Sequence, residues 1–207
     1  DYGLSFSKST NSPWTILLGD QDTSIHSYRM YAGWSWYAGN PGQYPAQGTY
    51  HHTISTIEDT PEVDMDFISY TITYTNATGA VQGTTGPTSS QYIPVLDTTQ
   101  QAALSHNKLI GTKADGSTEI IANNVSITSG STEVTLPAPK HYKKIELKFD
   151  NPIEVQASGG YVVEIVYKFR LEQGAYNNVK NQLAPMPNNS NSSVYTYNKA
   201  TLKADTG

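Results

Sequence analysis

The residue types that most often carry out chemistry are few and scattered in this sequence. The five histidines are His26, His51, His52, His106 and His141. The adjacent pair, His51 and His52, would point to opposite faces of a strand and would not easily share a metal ion. No H-E-x-x-H, G-x-S-x-G or phosphate-binding glycine loop occurs, and cysteine is absent. We therefore expect no enzyme activity, no cofactor and no metal site, although sequence alone does not exclude paired carboxylates for glycoside hydrolysis.

Acidic residues form two groups, either of which raises the question of calcium. Ca²⁺ binds six to eight oxygen ligands, and neither group has the spacing of an EF-hand loop. Asp64 and Asp66 alternate with apolar residues, so a solvated strand face explains them more simply. The first group is Asp20 and Asp22, and the second is Glu58, Asp59, Glu62, Asp64 and Asp66.

Lysine and asparagine offer one covalent chemistry that needs no cofactor. Lys–Asn isopeptide crosslinks can staple surface sandwiches when a buried carboxylate lies beside them. Lys168 and Asn198 both lie in predicted late strands. The sequence does not place the two side chains together, but a mass lower by one ammonia would reveal such a bond.

An aromatic segment between Tyr28 and His52 is a candidate for sugar binding. Aromatic faces on loops bind sugar rings by apolar contact, helped by directed polar groups. In a strand, Trp34 and Trp36 would share one face, with Tyr37 opposite. The alternative is that these rings cover one end of the core or pack between subunits. The aromatic residues concerned are Tyr28, Tyr31, Trp34, Trp36, Tyr37, Tyr44 and Tyr50.

Composition limits the class of protein and its partners. Only 15% of the 207 residues are charged, against roughly 25% in an ordinary soluble domain. The net charge is −5, and the lysines at positions 140, 143 and 144 are the only basic cluster, so we expect no nucleic-acid partner. No apolar run approaches the roughly 20 residues that span a bilayer. A surface rich in uncharged polar groups, and a first residue, Asp1, that indicates a processed precursor, predict an extracellular location.

Four N-x-Ser/Thr sequons make glycosylation a second expectation of an extracellular chain. A sequence this rich in Asn, Ser and Thr also produces sequons by chance. The tandem pair between Pro187 and Ser193 lies in a predicted exposed loop. The candidate acceptors are Asn76, Asn124, Asn188 and Asn191.

Alternating apolar residues predict an all-β fold, an antiparallel β-sandwich of Ig-like or pilin-like type with at most one short helix. Tyr161–Leu171 is the clearest strand. Residues 143–171 predict a three-stranded meander with a turn at Asp150-Asn151-Pro152. Val63–Thr75 changes face along its length, which predicts a bulge or a crossing between sheets. The predicted helix begins after Asp97 and is limited by Gly111.

The amino terminus is the segment that points most directly to a function. Tyr2, Leu4 and Phe6 alternate with Gly and Ser, and the break at Thr10-Asn11-Ser12-Pro13 follows. Such a strand can pair within its own sheet, or it can complete the sheet of a neighbouring subunit, supplying ladder hydrogen bonds and side chains for a groove. The predicted organisation is a donor strand and linker over residues 1–12 and one sandwich domain over residues 13–207.

On Tyr2, Leu4, Phe6, the break and the sequons, the chain resembles donor-strand-complemented surface filament subunits, closest in style to the archaeal thread type. That resemblance implies a structural subunit that binds identical subunits head-to-tail and serves adhesion or cell contact. Two alternatives remain open. The first is a carbohydrate-binding adhesin that uses Trp34, Trp36 and Tyr37, and the second is a viral jelly-roll coat or fibre protein.

Overall fold

The computed structural model describes residues 4–10, 25–34, 51–76, 78–80, 90–92, 104–156, 161–183 and 198–206. These residues form antiparallel strands and one helix. The strands are β1 (Leu4–Thr10), β2 (His26–Trp34), β3 (His51–Pro61), β4 (Met65–Asn76), β5 (Thr78–Ala80), β6 (Ser90–Tyr92), β7 (Asn107–Thr112), β8 (Thr118–Val125), β9 (Val134–His141), β10 (Lys144–Gln156), β11 (Tyr161–Leu171) and β12 (Asn198–Thr206), and the helix is α1 (Gln173–Leu183).

Two five-stranded sheets form the sandwich, which confirms the predicted all-β class. Sheet 1 has the strand order β1-β2-β11-β4-β9, and sheet 2 has the order β12-β3-β10-β7-β8. A third, two-stranded sheet joins β5 to β6. Each large sheet ends in two edge strands. Contacts described below place β1 near β12 on one side of the sandwich and β8 near β9 on the other.

The core follows the alternation of the two longest strands of sheet 1. In β11 the odd-numbered residues from Val163 to Leu171 are buried, as predicted. In β4 the buried set begins as Met65 and Phe67 and continues as Tyr70, Ile72 and Tyr74. The pairing register with β9 shifts between Phe67 and Ser69. The predicted change of face is therefore confirmed and is a bulge.

The predicted meander over residues 143–171 is wrong. Residues 144–156 form one strand, β10, whose register shifts between Lys148 and Ile153 where it pairs with β3. Asp150-Asn151-Pro152 is thus an irregularity within a strand and not a turn between two. Pro152 has no amide hydrogen for the ladder, which a bulge tolerates. β10 also belongs to sheet 2 and β11 to sheet 1, so the two strands are not neighbours.

The helix predicted after Asp97 is wrong where the structure describes it. Residues 107–112 form strand β7, and residues 97–103 lie outside the described part. A Cβ atom on Gly111 would overlap the ring of Tyr142, so the close approach of this ring to β7 requires glycine there. The observed helix α1 follows β11 instead. Glu172 caps it by accepting a hydrogen bond from the amide of Ala175, 3.1 Å away.

The edge strand β9 is protected against pairing with other chains. It is mostly exposed, and Pro137 and Pro139 remove two of the amides that an added strand would need. None of the described helical residues belong to a helix long and apolar enough to cross a membrane.

Candidate functional site: a buried Lys–Asp–Asn cluster

The first strand lies in the sheet of its own chain. β1 pairs antiparallel with β2 from Leu4 opposite Trp34 to Thr10 opposite Tyr28. Phe6, one of the three predicted donor residues, packs against the core. Leu4 is part of the strand, and Tyr2 lies outside the described residues. Donation of this strand to a neighbouring subunit remains a prediction.

Three strands each direct a polar side chain towards the interior, at a position where their alternation calls for an apolar one. In β1, Lys8 is on the same face as the partly buried Phe6. In β3, Asp59 follows the buried Ile57 at a spacing of two residues. In β12, Asn198 shares a face with Ala200 and Leu202, which pack against the core. Because β1 belongs to sheet 1 while β3 and β12 belong to sheet 2, the three side chains meet between the sheets.

The three side chains form a closed hydrogen-bonded triangle. The Lys8 Nζ atom donates to Asp59 Oδ1 at 2.5 Å and to Asn198 Oδ1 at 2.6 Å. The Asn198 Nδ2 atom donates to Asp59 Oδ2 at 3.0 Å. The two carboxyl oxygens of Asp59 therefore contact different nitrogen atoms, one on each partner. The side chain of Asp59 is 0% exposed and that of Lys8 is 17% exposed.

An aromatic ring lies against the cluster, and a second ring packs behind it. The Lys8 Nζ atom lies 5.1 Å from the centroid of the buried Tyr28 ring, in cation–π range. Tyr28 in turn packs edge-on against Phe169, with 5.7 Å between ring centroids. The buried Tyr167 hydroxyl has no hydrogen-bond partner within the described part of the chain. Its pKa is raised, first by burial and then by the charge of Asp59.

Burial shifts the proton equilibrium of the lysine and the aspartate in opposite directions. Desolvation lowers the pKa of Lys8, and the nearby Asp59 carboxylate opposes that shift. Desolvation raises the pKa of Asp59, against the opposing effects of Lys8 and Asn198. Both shifts favour the neutral forms, since a low-dielectric site disfavours charge. Compared with water, the site therefore makes the uncharged amine and the carboxylic acid easier to reach, while the attraction between the two charges opposes that change.

Sequence reasoning found one member of this cluster and gave it the wrong partner. Asn198 was paired with Lys168, but the structure places Lys168 Nζ 2.9 Å from Glu133 on the outer face of sheet 1. Asp59 enters the sequence predictions only as one of the acidic residues considered for calcium, and Lys8 does not enter them. Strict alternation marks Lys8 and Asp59 as inward-facing, because each continues the apolar face of its strand, but it does not show that they meet.

The other predicted site residues fall into three groups. Asn124 is exposed in β8, has a positive φ of 54°, and its Oδ1 lies 3.2 Å from His106 Nδ1. Asn76 ends β4 and Trp34 ends β2, but the side chains of both lie outside the described part. The remaining candidates are wholly outside the described residues: Asn188, Asn191, Trp36 and Tyr37. Their roles in glycosylation and sugar binding remain predictions.

The acidic residues between 58 and 66 pair with different cations. Glu58 contacts Lys203 at 2.7 Å, and Asp64 contacts His141 at 3.3 Å. Over the ranges that the structure describes, no group of three or more His, Asp and Glu side chains is arranged to hold a metal ion.

Comparison with known proteins adds little to this geometry. No protein-family model matches the chain, and no curated protein matches it. Among solved structures, the chain is similar to the family 32 CBM from C. perfringens NanJ, solved in complex with galactose. That alignment has 11% sequence identity and a TM-score of 0.20, and it covers 78% of this chain and 93% of the other.

Proposed function

We propose that this chain is a structural domain of an extracellular surface fibre, in which the first and last strands are fastened together so that the domain resists tension. The buried contact between Lys8, Asp59 and Asn198 carries this proposal. It joins the edge strand of one sheet to the edge strand of the other.

The position of the cluster along the chain suits a mechanical role. Lys8 and Asn198 are 190 positions apart in sequence, yet their side chains are in contact. Tension that enters before Lys8 and leaves after Asn198 passes from β1 to β12 through this contact. The intervening residues are then shielded from the force for as long as the contact holds.

Composition supports an extracellular setting for such a fastening. Cysteine is absent, so disulfides do not contribute to stability. Secreted domains commonly rely on disulfides as staples, and a buried polar clasp between terminal strands supplies a different one. The low charge content and the four sequons point the same way.

Assembly by strand donation remains a second form of the same proposal. A donated β1 would remove Lys8 from its own Asp59 and Asn198. The neighbouring copy's donated strand would have to return an equivalent lysine, because an unpaired buried carboxylate is costly. The head-to-tail polymer expected from the sequence is therefore compatible with the cluster only if each copy completes the cluster of the next.

Single-molecule pulling tests the mechanical role. Tandem copies held at their termini should unfold at a clearly higher force than copies with Lys8→Ala. Lys168→Ala, which removes an exposed lysine from an ion pair with Glu133, is the matched control and should change little. Equal forces for the native and Lys8→Ala chains pulled from their termini would contradict the proposal.

A further inference from the structure

The cluster holds the reactants of a known class of condensation, an amine and a carboxamide, with an acid between them. The Lys8 Nζ atom is 2.6 Å from Asn198 Oδ1, so the carbonyl carbon of Asn198 lies one bond beyond a contacting atom. Lys168, the partner expected from the sequence, is not at this site. We propose that Lys8 and Asn198 form an intramolecular isopeptide bond, promoted by Asp59, that joins β1 to β12.

The reaction balances with the groups present. The uncharged Lys8 amine attacks the Asn198 carbonyl carbon, and the carbonyl electron pair moves to oxygen. Asp59 then accepts a proton from Nζ through one oxygen and transfers a proton to Nδ2 through the other. The bond from the carbonyl carbon to Nδ2 breaks, and ammonia leaves. The products are a secondary amide and one ammonia, and Asp59 ends in the protonation state in which it began.

Asp59 is placed for both proton transfers. Its Oδ1 contacts the attacking nitrogen at 2.5 Å and its Oδ2 contacts the departing nitrogen at 3.0 Å. A general acid–base must lie within hydrogen-bond reach of the atoms it serves, up to about 3.2 Å. A buried lysine is a stronger nucleophile than an exposed one, since desolvation favours its uncharged form. The lowered pKa of Lys8 and the raised pKa of Asp59 agree with these roles.

The fold accelerates the reaction by holding the reactants together. Amides do not condense with amines in dilute solution at a useful rate. Fixed reactants in a water-excluding site behave as if present at an effective concentration of about 10⁵ M or more. The edge strands β1 and β12 hold Lys8 and Asn198 in contact from opposite sheets, and Tyr28 and the buried Tyr167 exclude water on the core side. No added reactant is required.

Intact-mass spectrometry of the denatured chain tests the bond directly. The native chain should be lighter than its sequence by one ammonia. Lys8→Arg, Asp59→Asn and Asn198→Ala should each have the full mass expected for their sequence, because each removes a participating group. Lys168→Arg is the matched control and should keep the deficit. Asp59→Asn is close to isosteric, and near-ultraviolet circular dichroism identifies any variant that loses its folded core.

Peptide mapping of the native chain gives a result that depends on no variant. Cyclisation of an asparagine to a succinimide also loses ammonia, so the map must show the Lys8 peptide joined to the Asn198 peptide. A full, unshifted mass for the folded native chain overturns the proposal, as does a deficit retained in Lys8→Arg. A ladder of denaturant-resistant multimers places the bond between copies and overturns its intramolecular form. The mechanical role survives a negative result, because the hydrogen-bonded contact alone can resist force.

Discussion

Asp59 is the residue on which the cluster depends most. Its side chain is fully buried and has two partners, the Lys8 ammonium group and the Asn198 amide. A buried carboxylate that loses its cation is left with an uncompensated desolvation cost. The lysine and the aspartate are therefore strongly coupled. The effect of substituting one of them on the free energy of unfolding should depend on whether the other is present.

We expect Lys8→Met to be rescued by a second substitution, Asp59→Asn. Neither variant can form the covalent bond, so their difference reports the buried charge alone. At neutral pH the double variant should have the larger free energy of unfolding, by about 3 kcal/mol. Burial raises the pKa of Asp59, so Lys8→Met should regain stability as the pH falls through that raised pKa and the carboxyl group becomes neutral. The gap between the two variants should narrow accordingly.

Urea unfolding of both variants across a range of pH gives the measurement. The matched pair Lys168→Met and Lys168→Met with Glu133→Gln alters an ion pair on the outer face of sheet 1, where both side chains are more than a third exposed. Exposed pairs contribute little, so this control should show a much smaller gap. A Lys8→Met variant as stable as the double variant at neutral pH would show that Asp59 is not held as a buried charge.

At the level of strands, a polar cluster joins each pair of edge strands in the sandwich. On one side Lys8 joins β1 to β3 and β12. On the other side Glu119 of β8 contacts Lys140 of β9, and it accepts a hydrogen bond from the Tyr142 hydroxyl at 2.5 Å. Lys113 completes this second cluster at 3.1 Å. The two clusters differ in burial, because the second is open to solvent.

The second cluster should make the β8–β9 edge sensitive to acid. Contacts with Lys140, Tyr142 and Lys113 lower the pKa of Glu119 from 4.5 to about 2. A carboxyl group with a lowered pKa in the folded state contributes stability above its unfolded pKa and loses it as the pH falls through the folded value. The native chain should therefore be more stable than Glu119→Gln at neutral pH, and the difference should shrink between pH 4.5 and about 2.

Urea midpoints measured from neutral pH down to pH 2 check this expectation, with the exposed Glu62→Gln as the matched control. Glu62→Gln should follow the native chain over the whole range. A gap between the native chain and Glu119→Gln that stays constant down to pH 2 would contradict the assigned pKa.

Alternation in the sequence predicted the strands better than it predicted their arrangement. Alternation located β11 and the bulge in β4, because each strand has a long series of apolar residues at alternate positions. Such a series fits only one choice of buried face. Alternation failed at Asp150-Asn151-Pro152, where the residues of a turn are also the residues of a bulge within one strand. The cluster was missed because Lys8, Asp59 and Asn198 come from three strands, and their meeting depends on sheet order, which alternation does not determine.

At the scale of the whole molecule, the short strand β1 has two effects: it covers the edge of sheet 1 and it provides a cation for the buried Asp59. β1 forms one edge of sheet 1 through seven register pairs with β2 and brings Lys8 to Asp59. Without it, β2 would become an exposed edge, and Asp59 would be buried without its cation. Exposed edges pair with other chains.

We therefore expect a chain lacking residues 1–11 to aggregate or to lose much of its stability, and a peptide of residues 1–11 added during refolding to restore a folded particle. The same peptide with Lys8→Ala keeps Leu4 and Phe6 and is the matched control. It should restore folding less well, because it returns the strand without the cation. Size-exclusion chromatography and electron microscopy, with the native chain alongside, provide the measurement.

The native chain in that comparison decides how β1 is used. Pairing of β1 with its own β2 predicts a monomer that added peptide does not alter, since the strand already occupies its edge. Filaments from the native chain, lost on truncation, would show instead that the strand is donated to a neighbour. A truncated chain that stays monomeric and as stable as the native chain would contradict both uses of β1, within its own chain and in a neighbour. Asp59 would then tolerate burial without Lys8. Equal rescue by both peptides would show that the strand restores folding through its ladder hydrogen bonds and Phe6, with no contribution from Lys8.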